Sequence, residues 1–574
     1  MKHSLFNQES LYERLQPLYD RVVLLYWNKL QKDVAILNRG YIFFDNPWDM
    51  ECCEEAYKLP GNTYNRTPNG DPEWVFQLSR LEWLTKIILL YQKEQSTELL
   101  KTWWSYVDSF YSNNNSIQNG LKTTAERPSL LNRIINRVLR IFTSPTYPTY
   151  RTLDTAIRNY TLLVNILSCE DLLKFKDSRE LLERIKSDVT FTFENLRKFD
   201  DTSNWGIIIV SSYLICSLLL GENCNNHKVA SDKLVQMLKN QIQPGGQHCE
   251  SSFMYHHQVL LFLLRLIYWA NKCKYELPTE VYDAATRMVS FSHSICTPTC
   301  QQDTFGDSDD TALDTILAIA HSVMKNEDSL PYVKSPDFVL LNEFDFQFSE
   351  ERLALQKNKN FIKDGVTRIE YGDLVLFTYN TKFYSSHKHA DNGSFTLYYR
   401  GIPVVVDSGR YTYQDQNWRE YFKSAERHSC LVLGAIDVNS DIYSSNITEQ
   451  KSELTCEENN ALVSLSYRTG KGFVVRQFKL TLGMLEITDE IAASCDCVHQ
   501  YIILHPNIVI SHDCSFIIGD KYKMKIETDY DQITIDDSWY SAHYNKKVQN
   551  KRISLLCNNK HTLKKTTKII FENE

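Results

Sequence analysis

The chain has 574 residues, of which 43% are hydrophobic and 23% charged, and its formal net charge is −8. This length allows two or more domains with sizeable cores, and the composition is that of an ordinary globular protein. The acidic balance argues against a nucleic-acid-binding protein, for which a basic surface is expected.

The N-terminal segment, MKHSLFNQESLYERLQPLYD, lacks the apolar stretch of a signal peptide. The longest apolar run, residues 207–220, is interrupted by Ser-Ser-Tyr and is shorter than the roughly 20 residues of a membrane span. The 15 cysteines are an odd number without a CxxC pair, which favours reduced thiols. We therefore expect no membrane partner and a cytoplasmic location, or a periplasmic or secreted one if a leader was removed.

Up to about residue 325, apolar residues recur at the three- and four-residue spacing of helices. The helices that begin near Asn204 and Ser251 are apolar almost all round, so we expect them to be inner helices. Helical hairpins in series with fully buried members indicate a solenoid or a closed toroid. The other predicted helices lie in DPEWVFQLSRLEWLTKIILLYQK from Asp71, STELLKTWWSYVDSFY, RTLDTAIRNYTLLVNIL, SRELLERIKSDVTFTFENLRKF and DTALDTILAIAHSVMK.

After Asp364 the period changes to two, with β-branched and aromatic residues between turn residues. This pattern predicts an antiparallel sandwich of many strands. The segment from about residue 326 to 363 is expected to be a linker or a wrapping arm. The predicted domains are a helical domain over residues 1–335 and a β-sandwich over residues 336–574.

Two polar groups of residues precede the predicted inner helices. In DTSNWGIII, Asn204 lies at a helix N-terminus, whose free N–H groups suit a carboxylate, although an Asn there is more commonly a helix cap. In PGGQHCESSFMYHHQVLL, Tyr255 could give a proton to an alkoxide leaving group. The alternative is that Tyr255 and His256 are amphipathic residues at the edge of the core.

A third polar group lies in SSHKHADNGSFTLYYRGIPVVVDSGRYTY. In an extended chain, His387, His389 and Asp391 would project to one side and converge on one site. His389, Asp407 and His428 together are a sensible ligand set for a divalent metal. A hydrogen-bonded His–Asp–His network without metal explains the same residues equally well.

Together, these motifs resemble the heparinase II/III polysaccharide lyases, most closely the heparinase III type. The stretch above matches the family's His-x-His-x-Asp-x-x-Ser-Phe and Gly-x-Pro-x-x-x-Asp-x-Gly-x-Tyr-x-Tyr patterns, and an Arg-x-Tyr segment follows at Arg419. The family's Ala-His-Asn reads Arg-His-Ser around His428. Upstream, the family's order is kept by NGDPEWVFQLSR, YRTLDTAIR, SNW, GGQHCESSFMYH and FGDSDD.

The resemblance implies an incomplete (α/α) toroid followed by an antiparallel β-sandwich. It implies that Asn204 neutralises a carboxylate, that Tyr255 and His387 are catalytic, and that a structural Zn, Mn or Ca ion is held by the metal ligand set described above. The chemistry itself would need no cofactor. Residues expected to bind the anionic substrate are Arg80, Arg151, Arg158, Glu250 and His256.

The implied reaction is β-elimination at a uronic acid, first in heparan sulfate or heparin and next in hyaluronan or chondroitin. Tyr255 would protonate the leaving oxygen, and would also act as base where the C5 proton lies on its face. His387 would act as base from the opposite face. Two alternatives stay open: a glycoside hydrolase that uses paired carboxylates, and a non-catalytic protein that binds acidic glycans.

Overall fold

A computed structural model describes residues 21–48, 51, 53–59, 63–113, 147–221, 226–325, 337–344, 360–382, 385–434, 447–511, 516–519, 521–558 and 562–573. Most of the predicted linker at 326–363 lies outside these ranges. By contacts the chain divides into a helical unit, residues 1–240, 259–285 and 318–352, and a sheet unit, residues 241–258, 286–317 and 353–574. Each unit consists of three stretches of sequence, whereas each predicted domain is one continuous stretch. The predicted domain boundary at residue 335 stays a prediction.

Helices follow one another through the first part of the chain, as the three- to four-residue period predicts. The two expected inner helices are confirmed: Asn204–Leu220 is buried along almost its whole length, and Phe253–Cys273 from its first residue to Ala270. In chain order the helices are Arg21–Leu37, Pro72–Arg80, Thr85–Glu94, Thr97–Asn113, Thr152–Ser168, Asp171–Phe175, Arg179–Glu194, Asn204–Leu220, Asn226–Gln241, Phe253–Cys273, Thr279–Ser294, Asp314–Met324, Phe338–Leu341 and Gln416–Lys423.

One predicted helix is broken. The pattern from Asp71 reads as a single helix, but the chain ends one helix at Arg80 and starts the next at Thr85. Leu81 takes a left-handed conformation with φ of 59°, which stops the first helix, and a short 3₁₀ turn follows. The apolar periodicity continues across this break because both helices bury apolar side chains. The sequence pattern alone therefore could not show where the first helix ends.

The sheet unit consists of antiparallel strands, in agreement with the period-two pattern. After β1, Tyr41–Phe44, and β2, Cys53–Lys58, of the helical unit, the strands are β3 Phe361–Lys363, β4 Val366–Tyr371, β5 Leu374–Tyr379, β6 Ser394–Tyr399, β7 Ile402–Val405, β8 Leu431–Leu433, β9 Thr448–Cys456, β10 Ala461–Arg468, β11 Gly472–Thr481, β12 Met484–Ala493, β13 Cys497–Ile503, β14 Val509–Ile510, β15 Phe516–Ile518, β16 Tyr522–Thr528, β17 Gln532–His543, β18 Lys546–Asn558 and β19 Thr562–Asn573.

Three sheets enclose one apolar core in this unit. Their strand orders are β14-β15-β16-β19-β12-β11-β10-β9, β17-β18-β13-β8 and β3-β4-β5-β6-β7. Along β10, residues alternate between buried and half-buried, so one face of the strand contributes to the core. Side chains from all three sheets meet in that core, including Leu397, Leu433 and Ile487. The predicted order of a helical region followed by an antiparallel sandwich is confirmed.

Two loops at one edge of the sandwich are fixed by a buried arginine. The Arg476 guanidinium pairs with Asp489 at 3.0 Å and donates to the carbonyl oxygens of Gly393, at 2.8 Å, and Ser429, at 3.1 Å. Gly393 has a positive φ, and a Cβ there would lie 2.8 Å from the Tyr467 ring, so only glycine fits. These two loops carry the histidines of the predicted metal site.

Within the described ranges, no helix is both long enough and apolar enough to cross a bilayer.

A buried carboxyl group in the helical unit makes stability depend on pH. Asp188 is fully buried, and neither carboxylate oxygen has a hydrogen-bond partner in the described part of the chain. Burial raises its pKa from 3.8 to about 6, although Arg158 and Arg184 oppose the shift. Above pH 6 the folded protein therefore carries an ionised group that costs roughly 3 kcal/mol, and stability rises as the pH falls through 6.

We expect Asp188→Asn to raise the melting temperature more at pH 7 than at pH 5, because the amide removes the cost of the buried charge. Thermal unfolding at both pH values measures this, with the exposed Asp283→Asn as control. Equal changes at the two pH values would show that Asp188 in the folded protein does not titrate between pH 5 and pH 7, and would contradict the raised pKa.

Candidate active site

The polar centre of the sheet unit is the carboxylate of Asp307, which is fully buried. It accepts hydrogen bonds from His387 Nδ1 and His389 Nε2, both at 2.8 Å, and from the Tyr413 hydroxyl at 3.1 Å. Arg419 donates to both carboxylate oxygens. One carboxylate therefore fixes four side chains that come from three separate segments of the chain.

These partners also fix the charge of Asp307. Burial alone would raise its pKa, but the Arg419 guanidinium and the hydrogen bonds from His387 and His389 outweigh burial and hold the pKa well below its usual range. Asp307 is therefore a permanent carboxylate, and its negative charge is balanced by Arg419.

The hydrogen bond to Asp307 defines the state of His387. A carboxylate can only accept, so Nδ1 carries the proton and, in the neutral ring, Nε2 keeps its lone pair. The side chain is 21% exposed, whereas Asp307 beneath it is enclosed. His387 therefore presents an oriented basic nitrogen at the surface of the cluster.

Tyr255 lies directly against this imidazole. The two rings stack, with their centroids 3.8 Å apart and an interplanar angle of 23°. The Tyr255 hydroxyl shares a hydrogen bond of 2.9 Å with the hydroxyl of Tyr413, over whose ring the Arg419 guanidinium lies at 4.5 Å. The structure thus brings together the predicted Tyr255 and His387 and adds a second phenol and a cation.

Local sequence explains why these groups meet. Gly306 has a positive φ, and a Cβ there would lie 2.7 Å from the Ser251 carbonyl oxygen and 3.0 Å from that of His387. Only glycine allows this approach, which lets the Asp307 amide donate to the His387 carbonyl oxygen at 2.9 Å. Ser252, just before the helix that carries Tyr255, donates to the Asp307 carbonyl oxygen at 2.8 Å.

The expected extended chain at His387 is wrong. Residues 385–393 form turns, and β6 starts only at Ser394. His387 and His389 still reach one carboxylate, but Asp391 does not join them and instead forms an ion pair with Lys388. The turns occur because the loop packs on Asp307 rather than on a neighbouring strand.

Next to this cluster, the predicted metal ligands lie together. One ligand atom each from His389, Asp407 and His428 can be chosen so that all lie within 4.8 Å of one another, and all three residues are buried. Because Nε2 of His389 donates to Asp307, its Nδ1 is unprotonated in the neutral ring. His389 Nδ1 and His428 Nε2 have no hydrogen-bond partner in the described ranges.

This donor set fits a divalent transition metal. Two imidazoles and one carboxylate suit Zn or Mn, whereas Ca prefers six or more oxygen ligands. The alternative His–Asp–His network is formed only in part. His428 Nδ1 bonds Asp407 at 2.7 Å, but His389 bonds Asp307 instead. Two buried nitrogens left without partners are better explained by a bound cation than by that network.

Two further predicted residues lie in the sheet unit, near Tyr255 in sequence. His256 is fully buried, with Nε2 sharing a hydrogen bond of 3.0 Å with Ser292. Glu250 is also buried, its carbonyl oxygen accepting from Ser385 at 2.9 Å. Both positions support the surrounding structure, and their contact with substrate stays a prediction.

The other predicted residues belong to the helical unit. Arg80 and Arg158 are buried, the first bonding Asp154 and the second donating to the carbonyl oxygens of Ser79 and Thr149. Arg151 also pairs with Asp154 but keeps 16% of its side chain exposed. Asn204 is the first residue of its helix, after the cap Ser203. The roles of these four residues in substrate binding and catalysis stay predictions.

Sequence reasoning missed Asp307, Tyr413 and Arg419. All three lie in the motifs that carry the family resemblance, FGDSDD, GRYTY and the Arg-x-Tyr segment, but none was assigned a role. The spacing of acids in FGDSDD does not show which one faces the histidines. Asp309, two residues on, instead pairs with Arg410 at 2.8 Å.

Comparison with known proteins identifies the family. Family models described as "Heparinase II/III N-terminus" and "Heparinase II/III-like, C-terminal" match residues 37–331 and 355–570. The chain therefore belongs to the heparinase II/III family of polysaccharide lyases, as its motifs predict. No curated protein sequence matches the chain.

Solved structures show the same fold at low sequence identity. A crystal structure of heparinase III has a TM-score of 0.70 at 16% identity, covering 89% of this chain and 79% of that one. The heparan sulfate lyase HepC of Pedobacter heparinus, in a mutant form, gives 0.61 at 15%, covering 100% and 86%. A Streptomyces coelicolor A3 chondroitin AC lyase in complex with chondroitin sulphate gives 0.56 at 10%, covering 98% and 82%.

We expect neutral His387 to be the Nδ1–H tautomer, and Asp307→Asn to abolish this preference because an amide does not enforce donation from the ring. Nitrogen NMR of histidine-labelled protein measures the tautomer, with the signal assigned by its loss in His387→Gln. The matched control is Asp309→Asn, which alters a buried carboxylate of the same loop that bonds Arg410. An Nε2–H tautomer in the unaltered protein would contradict the assignment.

We expect protein purified without chelators to contain near-stoichiometric zinc or manganese by elemental analysis. His389→Ala and His428→Ala should each lose the metal, because each removes a nitrogen donor of the buried set. His505→Ala, which alters a histidine outside the set, should retain it. Metal-free protein with an unchanged melting temperature after metal addition would instead support the hydrogen-bonded network.

Proposed function

We propose that the protein cleaves uronic-acid-containing glycosaminoglycans by β-elimination. Heparan sulfate or heparin is the first choice of substrate, with hyaluronan or chondroitin next. The products carry a double bond between C4 and C5 of the uronic acid. One observation carries the proposal: the Tyr255 phenol stacks on the His387 imidazole, whose basic nitrogen is oriented by a buried carboxylate.

Elimination needs a base for the C5 proton and an acid for the departing O4. His387 Nε2 takes the C5 proton, and the C–H electron pair forms the C4–C5 double bond as the C4–O4 bond breaks. Tyr255 gives its phenolic proton to O4. The proton on His387 then returns to the Tyr255 phenolate, with which its ring is in contact, so no water is consumed.

Tyr413 and Arg419 lower the cost of this proton transfer. While Tyr255 is a phenolate, Tyr413 can turn its hydroxyl toward the phenolate oxygen, 2.9 Å away, and stabilise the charge. Arg419 balances Asp307, so the buried carboxylate does not repel the uronate of the substrate. Asn204 stays proposed for neutralising the substrate carboxylate, as the family resemblance implies.

The geometry changes one part of the expected mechanism. With ring centroids 3.8 Å apart, Tyr255 and His387 leave no room for a pyranose between them. We therefore propose that the two groups approach the sugar from the same side with His387 as base, whereas the family resemblance implied Tyr255 as base on its own face and His387 on the opposite face. This arrangement suits syn elimination, in which the C5 proton and O4 leave on one face.

The metal ligand set has a supporting role in this proposal. An ion held by His389, Asp407 and His428 would supply a fixed positive charge beside Asp307. His389 orients Asp307 through its Nε2 hydrogen bond, and Asp307 in turn orients His387. Every proton transfer in the proposal is made by Tyr255 and His387.

A glycoside hydrolase is less well supported by this cluster. Hydrolysis needs two carboxyl groups flanking the bond, with one of them free to activate water or to attack. The carboxylate at the centre of the cluster, Asp307, is enclosed and held by four side chains. Glu250 is buried as well.

The proposal is tested by incubating the protein with heparan sulfate, heparin, hyaluronan, chondroitin sulfate and alginate. We expect ultraviolet absorbance from the unsaturated product with at least one glycosaminoglycan. New reducing ends without that absorbance would indicate hydrolysis. Binding without either signal would indicate a glycan-binding protein, and both outcomes would overturn the proposal.

We expect Tyr255→Phe to lower kcat by roughly two to four orders of magnitude, the usual contribution of a general acid. Substrate affinity should change little, because the ring and its stacking on His387 remain. Initial rates and equilibrium binding of a heparan sulfate oligosaccharide measure the two effects. Tyr467→Phe, which removes a buried hydroxyl in the sandwich core, is the control and should keep full activity. Unchanged turnover in Tyr255→Phe would remove Tyr255 from the mechanism.

A further inference from the structure

A cavity of about 540 Å³ opens in the sheet unit on the segments that also carry the catalytic cluster. This volume is within the usual range for small-ligand sites. The cavity, here called the Trp418 cavity, is not used by the elimination described above. The residues that line it are Tyr411, Thr412, Gln414, Asp415, Gln416, Trp418 and Asn545.

The cavity and the cluster are neighbours residue by residue. Thr412 and Gln414 flank Tyr413, and Trp418 precedes Arg419, so three of the lining residues adjoin a residue of the cluster in sequence. Tyr544, which precedes the lining residue Asn545, accepts a hydrogen bond from the Tyr413 amide at 3.2 Å. The cavity and the cluster are therefore built on the same segments of the chain.

The lining has the chemistry of a sugar site. Gln414, Gln416 and Asn545 offer amide groups that both donate and accept, and Thr412 offers a hydroxyl. The half-buried Trp418 indole lines the cavity, and an aromatic ring is a group on which a pyranose can stack. Side chains that hydrogen-bond in both directions match the hydroxyl and acetamido groups of a sugar.

The cavity wall is held in a costly conformation. Tyr411 and Asn545 both have left-handed backbones, with φ of 54° and 58°, and the Asn545 amide donates to the Tyr411 carbonyl oxygen at 2.6 Å. A bulky aromatic residue rarely adopts such a φ, and such strain concentrates at functional positions. The Lys547 ammonium lies 4.2 Å from the Tyr411 ring centroid and 4.1 Å from that of Trp418, and bonds the Tyr411 hydroxyl.

We infer that the Trp418 cavity is a substrate subsite, which binds a hydroxyl- or acetamido-bearing pyranose of the same polysaccharide chain that is cleaved at Tyr255 and His387. The indole of Trp418 stacks on the sugar ring, and the amides of Gln414, Gln416 and Asn545 bond its substituents. Lys547 and the left-handed residues Tyr411 and Asn545 hold the rings of Tyr411 and Trp418 in place before substrate binds, which lowers the entropic cost of binding. This inference rests on the proposed function.

The test uses size-fractionated heparan sulfate oligosaccharides, from the shortest that is cleaved upward, with unsaturated product as the readout. We expect Trp418→Ala to raise KM by roughly three- to tenfold for the longer oligosaccharides, with a smaller rise for the shortest. The loss should fall on KM rather than on kcat, and Trp418→Phe should restore most of the affinity. The Gln414→Ala/Gln416→Ala double variant, at exposed positions, should show the same length dependence if Trp418→Ala folds poorly.

Asn417→Ala is the matched control, since Asn417 is exposed on the same helical turn and does not line the cavity. A rise in KM that is independent of oligosaccharide length, or none in either cavity variant, would overturn the subsite while leaving the lyase intact. If the protein forms no unsaturated product, oligosaccharide binding in the Tyr255→Phe background decides the subsite separately. Weaker binding on adding Trp418→Ala would keep the subsite and reject the proposed function, and unaltered binding or no binding would reject both.

Discussion

The sheet unit depends on one buried negative charge, the carboxylate of Asp307. Burying such a group without partners would cost several kcal/mol, and the chain meets this cost by surrounding it with donors from three separate segments. Each donor then has a second role. His387 keeps an unprotonated Nε2 in its neutral ring, the Tyr413 hydroxyl bonds the Tyr255 hydroxyl, and Arg419 balances the charge of Asp307. The electrostatic requirement of a single side chain thereby arranges the groups that we propose act on the substrate.

The cluster around Asp307 also adjoins the predicted metal ligands, because His389 belongs to both groups. His389 donates one ring nitrogen to Asp307, and the other belongs to the group of His389, Asp407 and His428. A cation bound there would hold His389 in the orientation that lets it donate to Asp307, which in turn orients His387, the proposed base. Catalysis and metal binding are then linked through a carboxylate that need not touch either substrate or metal.

Periodicity predicted the strands because burial alternates along them, as in β10. The two inner helices were predicted instead from sequence that is apolar almost all round, which only a fully buried helix explains. Family motifs likewise predicted Tyr255 and His387, which the structure places in contact. Asp307 was not predicted, because three acids lie close together in its motif and only tertiary packing selects one. The turns at His387 were also missed, since an alternation of polar residues has the same appearance in a strand as in a loop that wraps around a charge.

The segment around Tyr413 contributes both to the Trp418 cavity and to the cluster around Asp307. Tyr411 and Tyr413 are two residues apart, yet the first lines the Trp418 cavity and the second bonds Asp307. The left-handed turn at Tyr411 separates the two rings, at a conformational cost that the surrounding contacts with Lys547 and Asn545 offset. A backbone fixed in this way cannot adjust the cavity without also moving the phenol that supports Tyr255. Under the two proposals, the segment that lines the sugar subsite at Trp418 therefore also carries the phenol that bonds Tyr255, the proposed acid.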